Sequence, residues 1–171
     1  MPNVIVRGLS RAATQGKLHL GHLRFPCAIG RGGRRPKSGE GDGITPLGQW
    51  AIRQIFYRPD RITRPRTALP LFPLSPETGW CDEPGDPNYN RIVRLPYPAG
   101  HEKLWRSDRL YDLVAVLGYN DWPRARGRGS AIFLHLARSN YSPTEGCVAL
   151  SRPHMLMLLE RLTPGSRILI E

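Results

Sequence analysis

The sequence predicts a mainly β fold with a few short helices, and three observations point there. The 171 residues are cut by 17 prolines and 18 glycines into short segments, the punctuation of strands and sizeable loops rather than of long helices. The segments between those breaks are rich in β-branched and aromatic residues. Apolar residues make up 40% of the chain, enough for a packed core, and no internal repeat or linker tract divides it, so residues 1–171 are expected to form a single domain.

In chain order, NVIVRG (3–8), RFPCAIG (24–30) and GQWAIRQIFY (48–57) read as strands. A long Pro-rich and aromatic-rich stretch follows, from 58 to 106. It exceeds an ordinary connection and is expected to be an ordered insertion that shapes a binding surface. LYDLVAVLGY (110–119), SAIFLHLA (130–137), CVALS (147–151) and SRILI (166–170) resume the strand pattern. The clearest helix is SRPHMLMLLERL (151–162). Ser151 suits its cap, Pro153 its first turn, and Met155, Leu158, Leu159 and Leu162 follow helical spacing.

The formal net charge is +11, and 22 of the 25 basic residues are arginine. Arginine favours carboxylate or phosphate partners because its planar fork pairs with them in a bidentate way. One reading is therefore a basic polyanion-binding module using GRGGRRPK (30–37) and RARGRG (124–129) as flexible contacts, although neither resembles a nucleic-acid reader motif. GRGGRRPKSGEGDG is a poor phosphate loop, since it lacks the Gly-Lys-Ser/Thr ending and a following helix. No apolar run approaches a membrane span. The first residues lack the long apolar segment and cleavage site of a signal peptide. Either the protein stays inside the cell or its export signal lies elsewhere.

Cys27, Cys81 and Cys147 form no C-x-x-C pair, and their odd number leaves at least one thiol free. Cys27 with Cys81 is a pairing open to an exported protein. Cys147 is the one with a chemical context. Side chains alternate along a strand, so Ile132, Leu134 and Leu136 form one stripe while His135 shares the other face with Ala131 and Phe133. In CVALS, Val148 and Leu150 form the apolar stripe and Cys147 points away from it. If the two strands are neighbours, His135 and Cys147 share a face, with an imidazole in reach of a thiol proton. Gly146 permits a tight turn before the strand and free N–H groups for an oxyanion. The plainer alternative is a small buried cysteine and a satisfied core histidine. A metal site from His135, Cys147, Glu145 and His154 lacks a compact ligand pair, so neither metal nor cofactor is expected.

TEGCV (144–148), with FLHLAR (133–138) upstream, resembles the signature of YkuD-type L,D-transpeptidase domains: a histidine, a loop, then Ser/Thr-His-Gly-Cys. GEGDGITPLGQWAIRQIFYRPDR (39–61) is similar to the family's Gly-rich segment with Thr-Pro-x-Gly. GWCDEPGDPNYNRIVRLPY (79–97) and LWRSDRLYDLVAVLGYN (104–120) resemble a mainly proteobacterial branch, and the similarity runs over about residues 25–162. The resemblance implies a YkuD-like β-sandwich or barrel-like fold and a Cys147 nucleophile. It would act on peptidoglycan stem peptides, with no cofactor and no nucleic-acid partner. His135 would be the base, oriented by the Leu136 carbonyl, and the N–H groups of Gly146 and Cys147 would hold the oxyanion.

The resemblance further implies cross-linking or exchange of terminal D-amino acids through a thioester, inhibition by carbapenems, and a place in the periplasm or cell envelope. A carboxypeptidase using the same Cys–His pair is the nearest alternative. Arg138 and Arg152 are expected to hold a substrate carboxylate, with Tyr57, Arg58 and Asp60 as part of the cleft wall. Three departures stand out. Glu145 replaces the family's second histidine, where it would raise the thiol pKa or orient an incoming ammonium. Ala149 replaces a common Arg or Asn, and the loop from His135 to Cys147 is short.

Overall fold

The computed structural model describes residues 3–171. The first hairpin region holds β1 (Asn3–Arg7), β2 (Gln15–Leu20) and β3 (Leu23–Ala28). The two-residue strands β4 (Arg34–Arg35) and β5 (Thr45–Pro46) pair with each other, and β6 (Gly48–Tyr57) is the longest strand. The 58–106 stretch carries β7 (Leu71–Pro73), β8 (Thr78–Cys81), β9 (Arg91–Arg94) and β10 (His101–Lys103). β11 (Leu113–Leu117), β12 (Phe133–Leu136), β13 (Val148–Leu150), α1 (Arg152–Leu159) and β14 (Arg167–Ile170) complete the chain.

Eight strands close into a barrel in the order β11-β12-β13-β3-β2-β1-β14-β6, with β6 returning to β11. β6 closes the ring because its ten residues reach two partners on successive segments: Gly48–Ala51 pair with β14, and Ile52–Tyr57 pair with β11. β7 adds a ninth strand alongside the second half of β6. Closure removes the unpaired edges that an open sheet would present.

The barrel wall separates two apolar clusters. Inside lie Val4, Val6, Leu18, Ile55, Leu134 and Leu150 with their neighbours. The buried face of α1, Met155, Leu158 and Leu159, joins this interior. Full burial of each such side chain contributes about 1.5–3 kcal/mol. Outside lie Phe56, Val114, Val116, Phe133 and Cys147, covered by Trp80 of β8 and Leu104. The sheet β10-β8-β9 therefore acts as a roof over one outer face. This explains why LVAVL, FLHL and VAL are buried along their whole length: their inward residues meet the interior and their outward ones meet the roof.

The expected strands are all present, and 48–57 matches residue for residue. β2 was not expected: in QGKLHL only Leu18 and Leu20 carry the inward apolar stripe, beside polar Lys17 and His19. Ser151 occupies the N-cap position of α1, but its hydroxyl makes no capping bond; its carbonyl accepts the Met155 N–H at 2.9 Å instead. The pairing of Cys27 with Cys81, left open by the sequence, is not formed. Both thiols are free, Cys27 in the barrel interior and Cys81 in the roof sheet. No helix among the described residues is long and apolar enough to cross a membrane.

Candidate active site

Residues 144–147 form a turn with fixed hydrogen bonding. Thr144 Oγ1 donates to the Cys147 carbonyl at 2.5 Å and accepts the Gly146 N–H at 3.2 Å. The Thr144 backbone is held between Ile29 and Arg31. Thr45, from the Thr-Pro-Leu-Gly segment, accepts the Gly30 N–H at 2.8 Å and reaches the Cys147 carbonyl at 3.5 Å. Gly146 has φ +132°, and a Cβ there would stand 2.9 Å from the Ile44 carbonyl oxygen. A side chain is thus excluded by both backbone conformation and space.

β12 and β13 run parallel, with Leu134 opposite Val148 and His135 opposite Ala149. Cys147 and His135 both project from the outer face, as the alternation predicts. They are diagonal neighbours across the pair on that face. Ala149, on the same face and in register with His135, leaves room for the imidazole. The Cys147 thiol lies 3.4 Å from the Phe133 N–H and 3.3 Å from the Ala131 carbonyl. Ala131 takes a left-handed conformation, φ +53°, and its N–H is bound by Asn90 Oδ1 at 3.0 Å. Asn90 also accepts Trp80 Nε1–H and donates to the carbonyls of Tyr119 and Asn120, so the roof sheet and the thiol's surroundings share one anchor.

His135 Nδ1 is 2.9 Å from the Leu136 carbonyl. A carbonyl oxygen only accepts, so Nδ1 carries the proton and Nε2 is the unprotonated nitrogen of the neutral ring. Burial lowers the His135 pKa to about 4, aided by the charges of Arg106 and Arg138. Burial likewise pushes the Cys147 thiol up to about 12, with Glu102 adding to the rise. Burial thus favours the neutral thiol and the neutral imidazole over a thiolate–imidazolium pair. Tyr111 packs edge-on against His135 with ring centroids 5.2 Å apart, and its hydroxyl donates to Glu102.

Several expected roles need correction. Tyr57 belongs to the interior cluster and faces no cleft. Arg58 is buried and structural: it forms a bidentate pair with Asp60, at 2.9 and 2.8 Å, donates to the Arg106 carbonyl and lies 3.6 Å over the Trp105 ring. Arg152 lines a separate hollow with Arg61, Arg109 and Asp112. Glu145 is exposed and pairs with Arg31 at 2.8 Å, so Glu102 rather than Glu145 is the main carboxylate acting on the thiol. The Gly146 N–H is engaged by Thr144. Arg138 is exposed and close enough for its charge to act on His135. GRGGRRPK is no flexible arm: Arg34 is buried against the Gly8 and Ser10 carbonyls, and Lys37 is tied to Asp42. Of the four residues weighed for a metal site, His154 stacks on Phe25 at 4.7 Å and Glu145 pairs with Arg31.

Residues 12–170 match the YkuD family, described as the L,D-transpeptidase catalytic domain. The chain belongs to the YkuD family of L,D-transpeptidases. Members are cysteine-dependent enzymes that act on peptidoglycan and typically work in the cell envelope. Among solved structures, an L,D-transpeptidase from Mycobacterium smegmatis aligns with 99% of this YkuD chain and 58% of its own length, at 10% sequence identity and a TM-score of 0.46. This chain thus spans little more than half of that protein. Comparison with curated proteins gives no match. The family match extends beyond the 25–162 similarity on both sides, taking in β2, part of the barrel wall, and β14.

Proposed function

We propose that residues 1–171 act as one catalytic unit in the cell envelope, an L,D-transpeptidase in which Cys147 is the nucleophile and His135 the base. The observation that carries this reading is the shared outer face of Cys147 and His135, with His135 Nδ1 tied to the Leu136 carbonyl so that Nε2 is free to take a proton. Cys147 Sγ attacks the carbonyl of the diaminopimelate residue in a donor stem. The thiol proton passes to His135 Nε2 as the sulfur–carbon bond forms. The amide bond to the terminal D-alanine then breaks, and that proton leaves on the departing amine. An amine of a second stem attacks the thioester, gives its proton to His135, and expels the thiolate, which His135 reprotonates. Because both resting groups are neutral, proton transfer accompanies attack rather than preceding it. The Cys147 N–H is the proposed oxyanion donor, and Arg138 the proposed holder of a donor carboxylate.

Purified protein is incubated with disaccharide-tetrapeptide muropeptides, and the products are weighed by mass spectrometry. Dimers or exchanged monomers are expected with the wild-type chain and are absent with Cys147→Ala. Trimmed monomers alone would make the enzyme a carboxypeptidase, and no product at all would overturn the reading.

A further inference from the structure

The cavity above Cys147 holds about 140 Å³, and its walls are acidic: Glu40, Asp82, Glu102 and Glu145 against one lysine, Lys37. Two of these charges are already matched. Lys37 Nζ is 2.5 Å from Asp42 Oδ1, and Glu145 pairs with Arg31. Glu40, Asp82 and Glu102 have no cationic partner among the described residues. Glu40 and Glu102 each accept a tyrosine hydroxyl on Oε1, from Tyr89 and Tyr111. Those bonds fix each carboxylate and leave Oε2 open.

A second feature of the cavity is independent of its charge. Ser130 lines it and is only 8% exposed, and its hydroxyl, beside that of Tyr89, completes no hydrogen bond of normal geometry. A buried hydroxyl without a partner is costly unless something else completes it. Burial raises both the Asp82 and Glu102 carboxyl pKa values, opposed by His101 at Asp82 and by the Tyr111 hydroxyl and Arg106 at Glu102. A group with several N–H donors and a positive charge satisfies all of these at once. Arg106 and Arg138 act on the His135 imidazole, and Arg106, paired with Asp108, also acts on Glu102.

We propose that the cavity formed by Asp82, Glu102, Glu40 and Ser130 is a subsite for a primary alkylammonium, the charged amine of the acyl acceptor. This rests on the thioester reaction proposed above. The acidic cavity receives the acceptor and repels carboxylates. One ammonium proton passes to a subsite carboxylate, and the neutral amine then attacks with its second proton going to His135. The subsite thus raises the local concentration of amine at the thioester and favours aminolysis over hydrolysis.

The test has two arms, using the whole chain and the shape-conserving variants Asp82→Asn and Glu102→Gln, each checked for an unchanged unfolding transition. In the first, Nα-acetyl-lysine amide and its uncharged counterpart Nα-acetyl-norleucine amide are titrated by NMR. The lysine derivative should bind the wild-type chain, the norleucine derivative should not, and each variant should weaken binding about tenfold to a hundredfold, the scale of a hydrogen bond to a charged group. Equal binding of both probes, no binding, or binding unchanged in both variants overturns the subsite.

In the second arm, intact-protein mass spectrometry follows acylation by a tetrapeptide donor and the partition of the acyl-enzyme between amine and water. In Asp82→Asn acylation should stay within about twofold of wild type while the ratio of aminolysis to hydrolysis falls about tenfold or more. Glu102→Gln is read by that ratio alone, because Glu102 also acts on the Cys147 thiol. A wild-type chain that is never acylated removes the proposed reaction and leaves the subsite to be decided by the titration. Normal acylation with an unchanged ratio in both variants removes the subsite alone.

Discussion

Cys27 lies on β3 and Cys147 immediately before β13, neighbouring strands of one barrel wall that pair with Leu150 opposite Cys27. Burial pushes both thiols up to about 12. Cys27 faces the interior cluster, among aliphatic side chains. Cys147 faces outward into a cavity, on the side that carries His135. Burial and thiol acidity therefore do not distinguish the proposed nucleophile from a structural cysteine. Position on the wall does, through access to a cavity and to the proposed base, His135.

The largest expected effect separates the two cysteines outright. Cys147→Ala should abolish turnover, whereas Cys27→Ala should keep full activity per folded molecule and lose only a little stability. Turnover by the Cys147→Ala protein, measured on muropeptides, would remove the distinction.

His135→Asn comes next, with an expected loss of about 10²- to 10⁴-fold in kcat/KM, the contribution of a positioned base. In the proposed mechanism the neutral imidazole is the active form, and burial lowers the His135 pKa to about 4. The acid limb of kcat/KM should therefore fall as pH drops through about 4, with no loss around 6.5. A limb centred near 6.5 would mean that His135 is solvated and the site more open than described.

Interior and outer wall should also respond differently to truncation. Leu134→Ala, in the interior, should cost about 2–5 kcal/mol in chemical denaturation while leaving the chemistry of the folded fraction intact. Arg138→Ala, on the exposed side, should leave the unfolding midpoint unchanged but lower kcat/KM by about tenfold to a hundredfold, as for loss of a charge-assisted pair. The smallest effect belongs to Glu145→Gln. An exposed carboxylate already paired with Arg31 should change acylation by no more than about twofold.

The barrel was legible where strands carry dense apolar runs. GQWAIRQIFY and FLHL announced themselves, and the alternation in SAIFLHLA and CVALS placed His135 and Cys147 on one face. The roof strands were not legible as strands, because β8, β9 and β10 are three or four residues long and lie among prolines; only their order as an insertion was. Arg58 was misread although its partner Asp60 stands two residues away, a pairing that local spacing already suggested. The acidic cavity had no local signal at all. Its carboxylates come from positions 40, 82, 102 and 145, brought together by barrel closure and by the roof packing on Trp80 and Leu104. Tyr111 and Asn90 were missed for the same reason: their roles depend on partners far away in sequence.

The most direct measurement of the central claim is intact-protein mass spectrometry with peptide mapping after exposure to a carbapenem. A strained β-lactam carbonyl reports which thiol can be acylated and leaves a mass at its position. The account predicts one adduct per chain, on the peptide that holds Cys147, lost in Cys147→Ala and retained in Cys27→Ala and Cys81→Ala. An adduct on Cys27 or Cys81, or an unlabelled Cys147 in protein that turns over muropeptides, would contradict it.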